Sequence, residues 1–512
     1  MEFFISCASM VTQPKENKNR SMDPEIQELL TASSKRKRLS PCLVLLIFTL
    51  SLRIICILNS ELELHDTARV AGIAREMAFT GDYFIPRLNG QGFLEYPSLG
   101  YFPIALFLST SRNPSDFLAT LPMAFLGTAT VLLTFLIGKV LADDRVGLTA
   151  GFILATMLGF FTLHRHCLVD PTLLFFITLS LYGFIAAYQV PARRSRFFAI
   201  FHLAMAGGFL SKGLVGVAIP AGTAFIFLII RRDLTTIRKL YFGWGILLFL
   251  LPIALWGVGV WWIEGPVLIK EVVRQSLWRF LSSSTDHARP AYSYFIPVLM
   301  NTLPWTPLLF VWLWYRRRRL RSEETLSQDF LALFALVWFL TVFVGLSMAA
   351  SKRTLYLAPL YPPFALLSAL GLNFLREKFP RLKLFETYGL IILFLGYVGI
   401  HFIVLLPSEK EDSLRPVFEV VRSQKDHGPV YLYGASEALR GAAVFYLGKT
   451  LPVRERKDLL QEGFEAPRGT ILIIPSLRGS ESPFPHLRAK GFSLLTEKNF
   501  VKASLQVYSN SP

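Results

Sequence analysis

Charge is what this 512-residue sequence has little of: 17% of its residues are charged, and the acids number 36 against 53 basic residues. Soluble domains carry about a quarter charged residues, so a mainly water-exposed surface is excluded. Cysteine is equally sparse. Cys7, Cys42, Cys56 and Cys167 are scattered with no CxxC pair, two of them inside apolar segments, which excludes a disulfide framework and a thiolate-rich metal centre. No glycine-rich phosphate loop and no internal repeat stands anywhere in the chain. A cleavable leader pattern is also missing, because the first short apolar stretch runs into a long polar segment.

What is present is hydrophobic bulk: 53% apolar residues, 44 Phe and a mean hydropathy of +0.45. A bilayer span needs about 20 apolar residues. Stretches at 41–59, 116–140, 146–163, 169–189, 197–210, 213–230, 241–262, 292–315, 329–349, 355–374 and 385–406 qualify or nearly do, so the chain reads as a polytopic α-helical membrane protein. Basic clusters fall at every second gap: Lys35 to Arg38, Arg193/Arg194/Arg196, Arg231/Arg232/Arg238/Lys239, Arg316 to Arg319 with Arg321, and Arg376/Lys378/Arg381/Lys383. That alternation is the positive-inside pattern, so the net charge of +17 reports topology and not nucleic-acid binding. It predicts a cytoplasmic tail at 1–39, a membrane domain at 40–406 with a long outer loop at 60–115, and a small periplasmic α/β domain at 407–512. In that last segment, strand-like runs at 430–433, 470–474 and 505–508 alternate with helical pieces at 415–424 and 436–446.

This topology gathers Asp66, Glu95, Asp170 and His287 on one face, together with cations that run against the charge rule: Arg69, Arg75, Lys212, Lys352 and Arg353. Ionisable residues at the edge of a span are costly and are functional candidates by default. Each also has a plain structural reading. Asp66 is a good N-cap for a helix whose apolar positions 70, 73, 74 and 77 predict an amphipathic surface helix ending at Gly81. Asp170-Pro171 opens a helix with proline in its first turn. The cations equally suit lipid headgroups.

Several motifs then stand in order. They are His65-Asp66-Thr67-Ala68-Arg69, Gly81-Asp82-Tyr83-Phe84, Glu95-Tyr96-Pro97-Ser98, Leu168-Val169-Asp170-Pro171, Ser211-Lys212-Gly213, Arg279-Phe280 with His287, Pro304-Trp305 and Ser351-Lys352-Arg353-Thr354-Leu355-Tyr356. The set resembles bacterial polyprenyl-phosphate-sugar glycosyltransferases of the GT-C fold, relatives of the protein O-mannosyltransferases and of the aminoarabinose transferase that modifies lipid A. The resemblance covers about residues 40–406. It implies Asp66 as catalytic base and Asp170 as the second acid. It implies a phosphate-facing group of Arg69, Arg75, Tyr96, Lys212, Lys352, Arg353 and Tyr356, and a divalent-metal pair at Glu95 and His287. No nucleotide cofactor is implied. Two departures matter: Thr67 stands where a second acid is frequent, and Tyr96 stands where many members carry a lysine.

The implied reaction moves a sugar from a polyprenyl-phosphate donor to an envelope lipid, glycan or protein acceptor, with inversion, on the outer face of the inner membrane. A carboxylate takes the acceptor proton, and cations meet the phosphate charge that grows as the bond breaks. The rival reading is a transporter or flippase for a lipid-linked or anionic substrate. Clustering of the acids on one face, away from the bilayer midplane, counts against it.

Overall fold

The computed structural model describes residues 40–63, 66–266, 289–319, 326–424, 428–455, 457–458, 466–477, 484–500 and 503–510. The expected tail at 1–39, the Arg279-Phe280 motif and His287 therefore lie outside the described residues.

All eleven apolar segments coincide with helices or helix pairs. Helix α1 (Pro41–Ile55) opens with proline in its first turn and with the Ser40 hydroxyl accepting from the Leu43 amide. After the first loop, which holds α2 (Asp66–Thr80), the β1–β2 hairpin (Arg87–Leu88, Gln91–Gly92) and α3 (Phe102–Leu108), the bundle resumes with α4 (Asp116–Leu141). The 146–163 segment is broken into α5 (Asp144–Ala155) and α6 (Leu158–Leu163). Then follow α7 (Asp170–Gln189), α8 (Arg194–Lys212), α9 (Val215–Ile230), α10 (Leu234–Phe242) and α11 (Gly245–Glu264). The 292–315 segment is a bent pair, α12 (Phe295–Asn301) and α13 (Thr306–Arg319), with 106° between its two arms. Helices α14 (Leu326–Met348), α15 (Tyr361–Lys378) and α16 (Leu382–Ile400) close the bundle, the last continuing through a π turn into α17 (Leu406–Asp412).

Among the described residues, six of these helical stretches are long and apolar enough to cross a bilayer, and α12–α13 makes a seventh if the bent pair is one span. The remaining expected segments are shorter, broken or less apolar: α1 has 15 residues, α9 has 16, and α8 has 19 with basic residues at both ends. Their core is packed from Phe160, Phe184, Phe201, Phe227, Phe334, Trp338 and Phe364, all nearly solvent-free. The expected fold class, a polytopic helical membrane protein with a small C-terminal α/β unit, is the observed one.

That unit begins with α18 (Arg415–Ser423). Strand β3 (Val430–Tyr433), helix α19 (Glu437–Leu447), β4 (Val453–Arg454), β5 (Ile471–Leu477), α20 (Phe484–Ala489), β6 (Ser493–Asn499) and β7 (Ala503–Ser509) follow. The sheet order is β4-β3-β5-β7-β6, parallel across β4-β3-β5 and antiparallel from β5 outward. Helix α19 starts under the Ser436 hydroxyl, which accepts from the Leu439 amide, and stops at Gly448 in the left-handed region (φ 67°).

One expectation changes. Helix α2 has the anticipated bounds and ends at Gly81 (φ 72°), yet it does not lie open on a membrane surface. Residues 67, 68 and 70–77 are all buried, because α19 covers one side of α2 and α3 the other. Gly72 and Gly441 make the close crossing of α2 and α19: a Cβ on Gly72 would fall 2.3 Å from the Gly441 carbonyl oxygen. A helical periodicity marks one apolar side; the small residues Ala68, Ala71, Gly72 and Ala74 let a partner helix cover the other.

Candidate active site at one end of the helical bundle

Helices α7 and α8 form an antiparallel hairpin, and this decides which residues meet. Asp170 begins α7 and Lys212 ends α8. The 20 residues of α7 rise about 30 Å, which sets the basic Arg193/Arg194/Arg196 turn at the opposite end. Lys212 Nζ donates to Asp170 Oδ1 at 2.6 Å, with both side chains more than nine-tenths buried. The ammonium also lies 5.1 Å from the ring centres of both Tyr96 and Tyr356. The two aromatic faces compensate part of its lost hydration. Tyr96, the residue standing where a lysine is frequent, thus brings its ring to a lysine supplied by another helix.

Asp66, the first residue of α2, sits between two guanidinium groups. Oδ1 accepts from Arg69 Nη2 at 3.0 Å and Oδ2 accepts from Arg353 Nη2 at 2.6 Å. The N-cap reading would have turned this carboxylate to the amides of its own helix, whereas both oxygens face arginines. Burial pushes the Asp66 carboxyl up, but Arg69 and Arg353, with Lys212 behind them, outweigh it and hold the group below the usual aspartate range. Arg69 is itself divided among acids: Nη1 lies 3.1 Å from Glu95 and 2.7 Å from Glu437, while Nη2 holds Asp66. Burial works against its charge, and these carboxylates more than restore it. Phe93 stacks beneath the guanidinium at 5.6 Å.

The structure therefore brings together Asp66, Arg69, Glu95, Arg353 and, through the lysine, Asp170, Lys212, Tyr96 and Tyr356. It does not bring Arg75 there. That side chain turns to the carbonyls of Ser111 and Arg112, just past the end of α3, where it binds the turn. Lys352 is buried and donates to the Ala349 carbonyl oxygen. The partner proposed for Glu95, His287, falls outside the described residues. Among the described residues, a different group has metal-ligand spacing: Glu63, His166 and Glu409, with donor atoms within 4.8 Å of one another. One Glu409 oxygen is already engaged by Arg165 at 2.5 Å, so charge there is partly balanced without an ion.

Sequence reasoning missed Glu437, Arg53 and the Arg165–Glu409 pair. Arg53 sits inside the first apolar segment, where it donates to the carbonyls of Ala155, Phe160 and Phe161 at the α5–α6 break. A lone arginine in an apolar run was the available signal. For Glu437 no signal existed, since its role depends on how α19 docks.

Comparisons with known proteins bear on the family resemblance and the fold. Residues 95–256 match the family described as dolichyl-phosphate-mannose-protein mannosyltransferase. The undecaprenyl phosphate-alpha-4-amino-4-deoxy-L-arabinose arabinosyl transferase of Shewanella sediminis (strain HAW-EB3) is 26% identical over 395 residues, covering 75% of this chain and 69% of that protein. One of the enzymes of the same name from Proteus mirabilis (strain HI4320) is 25% identical over 350 residues, 66% of this chain and 60% of that one. The chain thus spans less than two thirds of the second relative. The crystal structure of ArnT from Cupriavidus metallidurans bound to undecaprenyl phosphate superposes with a TM-score of 0.73 at 16% identity, covering 91% of this chain and 97% of that one. At that identity the likeness is one of fold. The family resemblance read from the sequence is borne out as a similarity: residues 95–256 match that family's model, and the chain shares the fold of the Cupriavidus metallidurans structure.

Proposed function

We propose that the chain transfers a sugar from a polyprenyl-phosphate donor, the donor class its relatives' names give, to a hydroxyl or phosphate of an envelope acceptor such as lipid A, another lipopolysaccharide part, a glycolipid or a protein. The observation that carries this reading is the Asp66 carboxylate held between Arg353 at 2.6 Å and Arg69 at 3.0 Å, beside the Asp170–Lys212 pair. A carboxylate kept ionised is ready to accept a proton, and guanidinium forks match a phosphate leaving group. On donor binding Arg353 exchanges Asp66 for the phosphate. Asp66 then takes the acceptor proton while the acceptor oxygen attacks the anomeric carbon from the face opposite the phosphate. The carbon–oxygen bond to the phosphate breaks, its electrons leave with the polyprenyl phosphate, and configuration inverts. Lys212, lodged between Tyr96 and Tyr356, adds positive charge where the phosphate dianion forms. Asp170 keeps that ammonium in place. In this scheme Arg75 and Lys352 hold the scaffold around the site. Glu95 with His287 would supply a divalent ion's ligands, an oxygen and an imidazole nitrogen, leaving coordination positions open to the donor phosphate.

The site end of the bundle faces the periplasm in this reading, with residues 1–39 in the cytoplasm and 407–512 as a periplasmic domain over the membrane domain of 40–406. The test is a mass-spectrometric comparison of envelope lipids and glycans from cells lacking the protein, complemented with wild type or Asp66→Asn at equal membrane levels. A defined sugar adduct that returns with wild type alone identifies the acceptor and supports the base. Equal restoration by both sinks the role of Asp66. A glycan profile that never changes redirects attention to transport of a lipid-linked substrate.

A further inference from the structure

The C-terminal α/β unit does more than lie against the membrane bundle: it delivers a carboxylate to the site. Helix α19 crosses α2 so closely that a Cβ on Gly441 would stand 2.5 Å from the Ala68 carbonyl oxygen and 2.6 Å from Arg69 Cα. That crossing sets the first residue of α19, Glu437, over Arg69, where Oε2 accepts from Nη1 at 2.7 Å. Further ties keep the register. The Asn89 side chain donates to the Leu451 carbonyl and accepts from the Leu451 amide, both at 2.7 Å. Tyr446 donates to Asp116 at 3.2 Å. Arg69 thereby serves Asp66 with one nitrogen and acids of two other segments with the other. Glu437 differs from those other acids in exposure: its side chain is 52% exposed, against 11% for Glu95 and 25% for Asp66. It is the partner that can yield at least cost.

We propose that Glu437 is a positioning residue of the transfer site: by holding one nitrogen of Arg69, it limits how much of that guanidinium's charge reaches Asp66 and an anion bound beside it. The inference rests on the reading of Asp66 as the base. With Glu437 in place, Asp66 keeps enough basicity to take a proton, and the polyprenyl phosphate product is released. Without it, Glu95 alone competes for that nitrogen, and more of the Arg69 charge falls on Asp66 and on the phosphate.

The experiment uses the full chain in lipid nanodiscs, with undecaprenyl phosphate as the binding probe, and the same variants in complemented cells for the rate at which the sugar adduct forms. Glu437→Gln is expected to bind undecaprenyl phosphate about two- to fivefold more tightly, the range covered by a half-exposed ion pair. The adduct should form more slowly by a similar factor. Glu437→Asp should return both toward wild type. Gly441→Leu, which separates the two helices, supplies the signature of lost docking: weaker binding and slower transfer together. If Glu437→Gln gives that signature, or leaves binding unchanged, the inference is overturned and Glu437 is a docking or surface partner only. Asp66→Asn runs alongside. An adduct undiminished by Asp66→Asn removes the base itself, whereas an adduct lost with Asp66→Asn but binding unmoved by Glu437→Gln removes this inference alone.

Discussion

The two acids of the site are held in opposite ways. Asp170 is an affair of the bundle: one lysine, from the helix antiparallel to its own, reaches it between two half-buried tyrosines. Asp66 is an affair between units: its oxygens face arginines from two segments, and one of those arginines is shared with a carboxylate from the C-terminal unit. A buried one-to-one pair resists change, because removing one partner strands a charge in a dry place. A shared, partly exposed cluster exchanges partners cheaply, which suits a group that must release a cation to a substrate and accept a proton. The difference separates a charge pair that stays fixed from one that exchanges partners.

The comparison breaks most sharply at Asp66 itself. Asp66→Asn keeps the shape and removes the base, so the rate of adduct formation is expected to fall about a hundredfold to ten-thousandfold with little change in thermal stability. Lys212→Met should lower stability as well as the rate of adduct formation. With Asp170 only 8% exposed, stranding its charge is expected to cost about 3–5 kcal/mol, read as a lower melting temperature and membrane level of the purified protein. Restoring stability, but not rate, with the double variant Asp170→Asn/Lys212→Met would trace the stability loss to the stranded Asp170 charge. Gly441→Leu should cost about 1–3 kcal/mol through overpacking against Ala68 and Arg69, visible as faster proteolysis of the C-terminal unit. Tyr356→Leu removes one of the two rings beside the lysine and is expected to cost about 0.5–2 kcal/mol.

The smallest effect is one of pH. Because the Asp66 carboxyl, pushed up by burial but held down more strongly by Arg69 and Arg353, titrates below the ordinary aspartate value in the folded protein, it is ionised throughout the neutral range. Its contribution to stability is complete above that value and is lost only as pH falls through the lowered folded one. Transfer should therefore show no acid limb from Asp66 above pH ~5. A half-maximal point near neutrality that disappears in Asp66→Asn would contradict the two-arginine geometry.

Much of this was legible in one dimension. Apolar runs of span length and the alternation of basic gaps mark a helical membrane protein, because a bilayer requires continuous apolar length with its polar backbone satisfied within the helix. Asp66, Asp170, Lys212 and Arg353 could be singled out because charge at a span edge is costly wherever it stands. The strand runs at 430–433 and 470–474 were marked by β-branched and aromatic residues between Gly and Pro. Other features were not legible. Arg75 and Arg69 lie on the same helix and read alike as outer cations, but their separation by six positions turns Arg75 to the Ser111 turn and Arg69 to the acids.

The sequence alone determined the class of molecule, its spans and the residue types available for chemistry, since these follow from local composition and from the energetics of apolar length. Only the tertiary structure decided the pairing: which lysine meets Asp170, which arginines enclose Asp66, and that Glu437, 368 residues beyond Arg69, faces it at 2.7 Å. Ion pairs act over a few ångströms, and the approach that closes this one depends on two glycines, Gly72 and Gly441, meeting between segments that sequence order keeps far apart.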